Sequence, residues 1–253
     1  HSTCVRILRK YINYLGYDNS FTIYDSDDQK TLMRDIIKYL ELDPKKFRER
    51  AILSRISAAK NDFISPEAYA LAAGNDILYK TYSACYTEYQ KRLMQNNALD
   101  FDDLLFKSVE LFQNNKDVLA YYQNRFKYIM VDEYQDTNQL QYELIRLLTG
   151  ENGNLCVVGD DDQSIYKFRG ATIENILNFE DNYPNAKVIR LEQNYRSTKM
   201  ILSAANGVIE NNEQRKGKTL WTENDHGEPI HIFTAFDEQG EASYIARTIT
   251  DKV

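Results

Sequence analysis

The sequence predicts an α/β fold in which a mostly helical amino-terminal part precedes a parallel sheet covered by helices. Up to about residue 125, apolar residues recur at the three- and four-residue spacing of helices. From Tyr128 onward, four short apolar runs alternate with helical stretches, which is the pattern of a parallel sheet with helices on its faces. Three of these runs end in polar clusters, where such sheets carry their chemistry.

Local start and stop signals divide the amino-terminal part into several helices. The predicted signals are a capping box of Ser26 with Gln29, a start at Asp43-Pro44, a start at Ser65-Pro66-Glu67 and a stop at Gly74. Longer helices are predicted from about Asn75 to Met94 and from Asp100 through Phe112. This part contains no catalytic pattern of its own.

The second part of the chain contains the predicted strands. They are Tyr128–Val131, Leu155–Val158, Lys187–Leu191 and Ile230–Phe233. The polar clusters that follow the first three are Asp132-Glu133, Gly159–Gln163 and Gln193–Arg196. Because the carboxyl ends of parallel strands meet at one edge of a sheet, we expect these clusters to form a shared site.

Composition limits the classes of protein that the chain can represent. The hydrophobic fraction of 43% and charged fraction of 27% are those of an ordinary soluble globular protein, and no apolar run is long enough to cross a bilayer. The net charge of −7 argues against a surface that binds nucleic acid everywhere, but not against a local groove. Cys4, Cys85 and Cys156 are widely scattered, which favours a reducing cytoplasm. The ends at His1 and Val253 lead us to expect an internal fragment.

Adjacent carboxylates follow the first strand at Asp132 and Glu133. Such a pair can hold Mg²⁺ with one acid and orient or deprotonate a water with the other. The alternative is a structural one, in which these acids stand at a helix start that Asp136 or Thr137 caps.

Acids, an amide and aromatic residues follow the second strand. Asp160, Asp161 and Asp162 lack the alternating ligands and the distant glutamate of an EF-hand, so calcium is not favoured. Beyond Gln163, aromatic residues at 166 and 168 alternate with cations at 167 and 169, a combination that stacks on bases and holds phosphates of a single strand. The alternative is that Ile165 and Phe168 are core contacts of a short helix.

Tyr195 and Arg196 follow the third strand. An arginine there can stabilise the charge on a transferred phosphoryl group, and a tyrosine can stack on an adenine. The alternative is a surface arginine beside Ser197, which is predicted to cap the next helix. The nearby Gly217-Lys218-Thr219 resembles the end of a phosphate-binding loop, but Asn212 stands where that loop needs a glycine.

Taken together, three segments resemble motifs of the UvrD/Rep/PcrA-type DNA helicases of superfamily one. Val131–Asn138, Val158–Ala171 and Leu191–Thr198 are similar to the second, third and fourth motifs, in the family's order and spacing. Further matches are His1-Ser2, Leu99–Leu104 and Leu220-Trp221-Thr222. The resemblance spans nearly the whole chain and is closest to the PcrA branch.

The resemblance implies a role for each matching residue. Asp132 and Glu133 would form the Mg²⁺ site, with Asp132 binding the ion and Glu133 activating the hydrolytic water. Gln163 would sense the γ-phosphate of ATP, Arg196 would contact it from a second domain, and Tyr195 would pack on the adenine. The residues that would contact single-stranded DNA are Tyr166, Phe168, Arg169, His1 and Ser2.

The resemblance also implies an architecture, a truncated RecA-like parallel sheet with a mostly helical insertion. Residues 1–10 would end the amino-terminal part of the first RecA-like domain, 11–98 would be the helical inserted subdomain, 99–192 the remainder of this ATP-binding domain, and 193–253 the start of a second RecA-like domain. The real phosphate-binding loop would precede His1, so the fragment itself is expected to be inactive and its sheet edge exposed.

The implied function is that of a cytoplasmic ATP-dependent 3′→5′ DNA helicase or translocase. Its partners would be single-stranded DNA and single/double-strand junctions, with replication or repair proteins and without a membrane. Two alternatives stay open. One is the motor subunit of a helicase–nuclease complex such as AddA or RecB, and the other is a non-catalytic interaction module.

Overall fold

The computed structural model describes residues 1–150, 153–167, 170–212 and 217–253, which form two compact units. Unit 1 is His1–Asn185, and unit 2 is Ala186–Val253. Among the described residues, no helix has the length and apolar character that crossing a membrane requires.

Helices dominate both units. Those of unit 1 are α1 (Ser2–Tyr11), α2 (Ser26–Tyr39), α3 (Glu49–Asn61), α4 (Pro66–Ala72), α5 (Ile77–Gln95), α6 (Phe101–Asn114), α7 (Lys116–Arg125), α8 (Gln139–Thr149), α9 (Glu174–Leu177) and α10 (Phe179–Asn182). Unit 2 contains α11 (Lys199–Ile209) and α12 (Glu238–Lys252). The strands are β1 (Thr22–Ile23), β2 (Ala98–Leu99), β3 (Tyr128–Val131) and β4 (Asn154–Val157).

The helix starts confirm one sequence prediction and correct two. Ser65 caps α4, and its hydroxyl accepts a hydrogen bond from the Ala68 N–H at 3.2 Å. The capping box of α2 is wrong by one residue, because Asp25 and Asp28 form it. An aspartate at the cap accepts two backbone N–H bonds there, at 2.8 and 3.0 Å.

Asp43-Pro44 does not begin α3, which starts at Glu49. The Asp43 carbonyl accepts a hydrogen bond from the Phe47 N–H at 2.8 Å, which closes a single turn. Phe47 is buried in a cluster of apolar residues from α2, α3 and α5.

Two of the four predicted strands form. β3 pairs in parallel with β4, with Tyr128 opposite Asn154 and Val131 opposite Val157. The predicted strands at 187–191 and 230–233 are wrong, since the structure assigns these residues no strand. Ile189 and Ile232 are 69% and 92% exposed, and a short apolar run forms a strand only where a neighbouring strand bonds its backbone. β1 and β2, two residues each, are too short to leave a sequence pattern.

Unit 1 has two hydrophobic cores. The first core lies among α1, α6, α7 and α8 and includes Ile7, Leu8, Leu99, Val109, Phe112 and Leu140. The second core lies among α2, α3 and α5 and includes Met33, Ile36, Ile52, Tyr86, Tyr89 and Leu93. Ala98 and Leu99 on β2 are adjacent members of different cores, so this short strand connects them.

A buried ion cluster lies beside this junction. The Lys60 ammonium at the end of α3 is 2.8 Å from Asp100 and 2.8 Å from Asp103, at the start of α6. The Tyr89 hydroxyl also donates to Asp100, and the Gln90 amide donates to Asp103. Burial alone would lower the pKa of Lys60, but the two carboxylates outweigh burial and raise it. Lys60 therefore remains charged inside the protein.

Lys60→Met is expected to lower the free energy of unfolding by about 3–5 kcal/mol, because it leaves two buried carboxylates without their cation. Urea unfolding of the chain measures this change. The matched control is Lys91→Met, since the Lys91 side chain is 57% exposed and pairs with Glu88 at 3.6 Å. This control is expected to cost less than about 1 kcal/mol. Equal losses in both variants would contradict a structural role for the buried cluster.

Candidate functional site

The two paired strands deliver their polar clusters to one edge of the sheet. Beyond the last β3–β4 pair, the Val158 N–H donates to the Val131 carbonyl at 2.8 Å, and the Tyr134 N–H donates to the Val158 carbonyl at 2.9 Å. The residues after β3 are therefore hydrogen-bonded to those after β4. Two of the three polar clusters that were expected to share a site therefore adjoin, whereas the third, Gln193–Arg196, follows a predicted strand that does not form.

Asp132 and Glu133 lie exposed immediately after β3. The Asp132 carboxylate accepts a hydrogen bond from the Glu133 N–H at 2.9 Å. Glu133 has a left-handed backbone with φ +50°, which few non-glycine residues adopt and which is common at functional sites. The alternative that Asp136 or Thr137 caps the next helix is wrong, because Asn138 caps α8.

Gln135, which the sequence analysis did not single out, connects the two clusters. Its side chain is buried, and its Nε2 donates to Glu133 Oε2 at 2.8 Å. Its Oε1 accepts a hydrogen bond from the Asp160 N–H at 2.9 Å. One side-chain amide thus joins the carboxylate after β3 to the backbone after β4. The signal available in the sequence was its position inside the Val131–Asn138 motif.

Gly159 allows this close approach. A Cβ atom at position 159 would lie 2.7 Å from Gln135 Oε1 and 2.8 Å from Ile176 Cδ1. Both distances are shorter than ordinary van der Waals contacts, so a larger residue would displace the amide or the isoleucine.

The loop after β4 has its own hydrogen bonds. Asp160 accepts from the Asp162 N–H at 3.0 Å and from Gln163 Nε2 at 2.7 Å. This arrangement stabilises a short 3₁₀ turn over Asp161–Gln163, in which Gln163 remains exposed. The carboxylates of Asp160, Asp161 and Asp162 have oxygens within 4.8 Å of one another. Because both oxygens of Asp160 accept these bonds, the described contacts assign it a role in shaping the loop.

Neighbouring residues, most of them buried, pack against the segment that follows β3. Burial raises the pKa of Tyr134, whose ring packs edge-on against Phe179 at 5.6 Å. Burial and the nearby Glu133 carboxylate raise the pKa of Asp136. The Asn175 amide donates to the Thr137 carbonyl at 3.1 Å, which holds α9 against the turn after β3.

A contact also connects the site to α3. The Asn138 amide, at the cap of α8, donates to Asn61 Oδ1 at 2.6 Å. Asn61 is the last residue of α3 and follows the buried Lys60 directly. The helix end that carries the buried ion cluster therefore also contacts the segment that follows the candidate carboxylates.

The predicted DNA-contacting residues fall in different places. Tyr166 is 36% exposed and Ile165 is 69% exposed, so the alternative that Ile165 is a core residue is wrong. Phe168 and Arg169 lie outside the described residues. His1 and Ser2 are exposed at the start of α1, where the His1 ring is 6.0 Å from the Phe101 ring.

The remaining predicted site residues, Tyr195 and Arg196, are exposed in unit 2. Asn194 Oδ1 accepts hydrogen bonds from the N–H groups of Arg196 and Ser197, at 2.9 and 2.7 Å, so the Asn194 side chain orders the loop. The predicted cap at Ser197 is wrong, because Thr198 is the residue before α11.

The segment at Gly217–Thr219 lacks the setting of a phosphate-binding loop. The last regular element before it among the described residues is the helix α11, whereas such a loop follows a strand. The Gly217 carbonyl accepts a hydrogen bond from Arg190 at 3.1 Å. The sequence interpretation that this segment is not a nucleotide site agrees with this placement.

Comparisons with known proteins identify the family. The UvrD/REP helicase N-terminal domain matches residues 1–184, and the UvrD-like helicase C-terminal domain matches residues 189–253. The chain is 52% identical over 249 residues to the ATP-dependent DNA helicase PcrA of Bacillus subtilis (strain 168). It is 51% identical to PcrA of Staphylococcus aureus (strain Mu50) and 50% identical to PcrA of Staphylococcus epidermidis (strain RP62A).

Each alignment covers 98% of this chain and 34% of the relative. The chain therefore spans about a third of the length of the curated relatives it matches. The resemblance drawn from the three ordered motifs is confirmed by two matches that together cover almost every residue. This chain belongs to the UvrD/Rep family of helicases.

Proposed function

We propose that this chain is the part of an ATP-dependent DNA helicase that couples ATP hydrolysis to 3′→5′ movement on single-stranded DNA. The observation that supports this proposal is the chain of hydrogen bonds from Glu133 after β3, through Gln135 and Asp160, to Gln163 after β4. The curated relatives are named as ATP-dependent DNA helicases, which supports the same activity here.

In the proposed reaction, Glu133 is the general base. Its carboxylate accepts a proton from a water molecule whose oxygen attacks the γ-phosphorus of ATP, and the bond to the ADP oxygen breaks. Glu133 suits this role because it is exposed and its Oε2 is held by the Gln135 amide at 2.8 Å. A fixed carboxylate orients the water with less loss of entropy than a mobile one.

Asp132 fits the proposed magnesium ligand. Mg²⁺ prefers carboxylate oxygens and keeps several waters, so it favours an exposed acid next to the substrate phosphates. Asp132 is exposed, and the Glu133 N–H fixes one of its oxygens at 2.9 Å. When bound, the ion would neutralise charge on the phosphates and so assist hydrolysis.

Three further residues, Gln163, Tyr195 and Arg196, are assigned to the nucleotide in this proposal. Gln163 is exposed on the loop after β4, where its amide can report the γ-phosphate to the segment that follows. We assign Arg196 to the γ-phosphate and Tyr195 to the adenine, because a guanidinium stabilises phosphoryl charge and an aromatic face stacks on a base. The exposure of both side chains in unit 2 is compatible with these roles.

We place the single-strand path along Tyr166, Phe168 and Arg169, with His1 and Ser2 contributing. Aromatic faces stack on bases of any sequence, and cations hold the phosphates. Tyr166 lies only three residues beyond Gln163, so one loop can contact both nucleotide and DNA. The same proposal includes binding to single/double-strand junctions and to replication or repair proteins. It also includes a cytoplasmic location, which the free thiols of Cys4, Cys85 and Cys156 support because thiols persist in a reducing compartment.

We also propose residues 11–98 as an inserted helical subdomain between 1–10 and 99–192, with 193–253 as the start of a second RecA-like domain. The second core supports the insertion, because its buried members all lie between Leu32 and Ala98. The boundary at 193 is supported by the start of unit 2 at Ala186.

Glu133→Gln in a full-length protein that carries this chain is expected to lower the kcat of DNA-stimulated ATP hydrolysis by about 10²–10⁴-fold, because glutamine cannot accept the proton. Steady-state phosphate release measures it. The matched control is Glu174→Gln, an exposed glutamate on α9 that is expected to retain activity. Unchanged turnover in Glu133→Gln would favour the non-catalytic interaction module.

A polypeptide of residues 1–253 alone is expected to show no Mg²⁺-dependent ATP hydrolysis. Its sequence contains no Gly-x-x-x-x-Gly-Lys-Ser/Thr stretch to hold the phosphates beside Asp132 and Glu133. A phosphate-release assay with ATP, Mg²⁺ and a single-stranded oligonucleotide tests this expectation. Turnover that disappears in Glu133→Gln would show that the phosphate partner is dispensable, contrary to the proposal.

Tyr166→Ala in the full-length protein is expected to weaken binding of a single-stranded oligonucleotide by about 1–3 kcal/mol, the contribution of one stacked base. Fluorescence anisotropy at fixed salt measures the Kd. The control is Tyr39→Ala, a tyrosine on α2 that is 62% exposed. If both variants bind as the parent does, the DNA path does not include Tyr166.

A further inference from the structure

Gln135 stands between the two halves of the proposed hydrolytic site and is not among the residues assigned above to ATP, Mg²⁺ or DNA. Its side chain is 1% exposed, so its amide must find partners within the protein. Both partners belong to the site: Glu133 Oε2 receives the Nε2 hydrogen, and Oε1 receives the Asp160 N–H. A structural glutamine could satisfy its amide anywhere, so this choice of partners is informative.

We propose that Gln135 is a positioning residue for ATP hydrolysis, which fixes the Glu133 carboxylate relative to the loop that carries Gln163. This inference rests on the proposed function and adds a residue to it. Gln135 acts through Glu133, since its own amide is buried. Its carbonyl oxygen orients the amide by holding the Asp160 N–H, and the opposite end of the amide then directs one oxygen of Glu133.

Three further features constrain the same arrangement. Glu133 has φ +50°, an unfavourable backbone that the contacts around it must compensate. Gly159 leaves room for Gln135 Oε1, which a Cβ atom would approach to 2.7 Å. The Ser164 hydroxyl also donates to the main-chain carbonyl of Gln135, at 3.4 Å. The loop after β4 therefore contacts both the side chain and the backbone of Gln135.

The same hydrogen bonds also connect Gln163, the proposed γ-phosphate sensor, to Glu133, the proposed general base. Asp160 contacts the Gln135 amide through its N–H, and its carboxylate accepts from Gln163 Nε2 at 2.7 Å. A shift of Gln163 on the γ-phosphate would therefore pass through Asp160 and the amide of Gln135 to the Glu133 carboxylate. The alignment of the Glu133 carboxylate with the attacking water therefore depends on the position of the loop that carries Asp160 and Gln163.

The principal test is Gln135→Glu in a full-length protein that carries this chain. Glutamate has nearly the same volume and can still accept the Asp160 N–H, but in its ionised form it cannot donate to Glu133. We expect kcat for ATP hydrolysis to fall by about 10- to 100-fold, the range found when a hydrogen-bond partner that orients a metal ligand is removed. KM for ATP should change less than about threefold, because the lost contact does not bind substrate.

The reversed pair separates positioning from a general loss of structure. In Glu133→Gln/Gln135→Glu, the new amide at 133 can donate to the new carboxylate at 135, so the same hydrogen bond forms in the opposite direction. We expect Gln135→Glu alone to lower the Tm by a few degrees and the double variant to recover it without recovering activity. Failure of the double variant to recover the Tm would show that the two side chains do not contact each other.

Gln141→Glu is the matched control, because Gln141 is a half-buried glutamine nearby whose Oε1 accepts the Asn138 N–H at 3.1 Å. Its kcat should equal that of the parent. Gln135→Met, which removes both contacts, provides a second variant if Gln135→Glu does not fold, with the same expected fall in kcat. A folded Gln135 variant with unchanged kcat would overturn the inference while leaving the proposed function intact. Unchanged kcat in Glu133→Gln would instead overturn the proposed function itself.

Discussion

β3 and β4 pair in parallel, from Tyr128 opposite Asn154 to Val131 opposite Val157. The segments that follow the two strands therefore leave the sheet at the same edge. Side chains about 30 residues apart in sequence become neighbours through this one pairing. An antiparallel pair would send the two polar clusters to opposite ends. The geometry of Asp132, Glu133 and Gln163 follows from the direction of two short strands, and Gln135 then fixes the spacing between them.

The buried ion cluster and the neighbouring hydrogen bond of Asn61 connect the helices of unit 1 to this edge. Lys60 with Asp100 and Asp103 places three charges out of water, which only close geometry and extra hydrogen bonds can offset. These ion pairs join the end of α3 to the start of α6. Asn61, the next residue, then bonds the cap of α8. The helical part of unit 1 is thus in direct contact with the segment that carries the candidate carboxylates.

The sequence predicted much of this architecture, and its errors have identifiable causes. Periodicity found α5 and α6, because each buries one face and burial requires a repeating pattern. Short apolar runs found β3 and β4, whose residues are exposed or half-buried. Capping signals misplaced the starts of α2 and α3. In both places several neighbouring residues are suited to begin a helix, and the local sequence does not decide among them. Short apolar runs alone predicted strands at 187–191 and 230–233, although a strand also needs a neighbour to bond its backbone.

For the site, the amino-acid sequence by itself determined which residues could do chemistry and the family to which the chain belongs. Carboxylates, amides and aromatic side chains follow strands in a fixed order, and such order is written in the chain. Only the tertiary structure decided that Gln135 joins Glu133 to Asp160 and that Gly159 makes room for it. The reason is physical: a hydrogen bond between residues 25 apart depends on strand register and close packing, which no local pattern of residue types encodes.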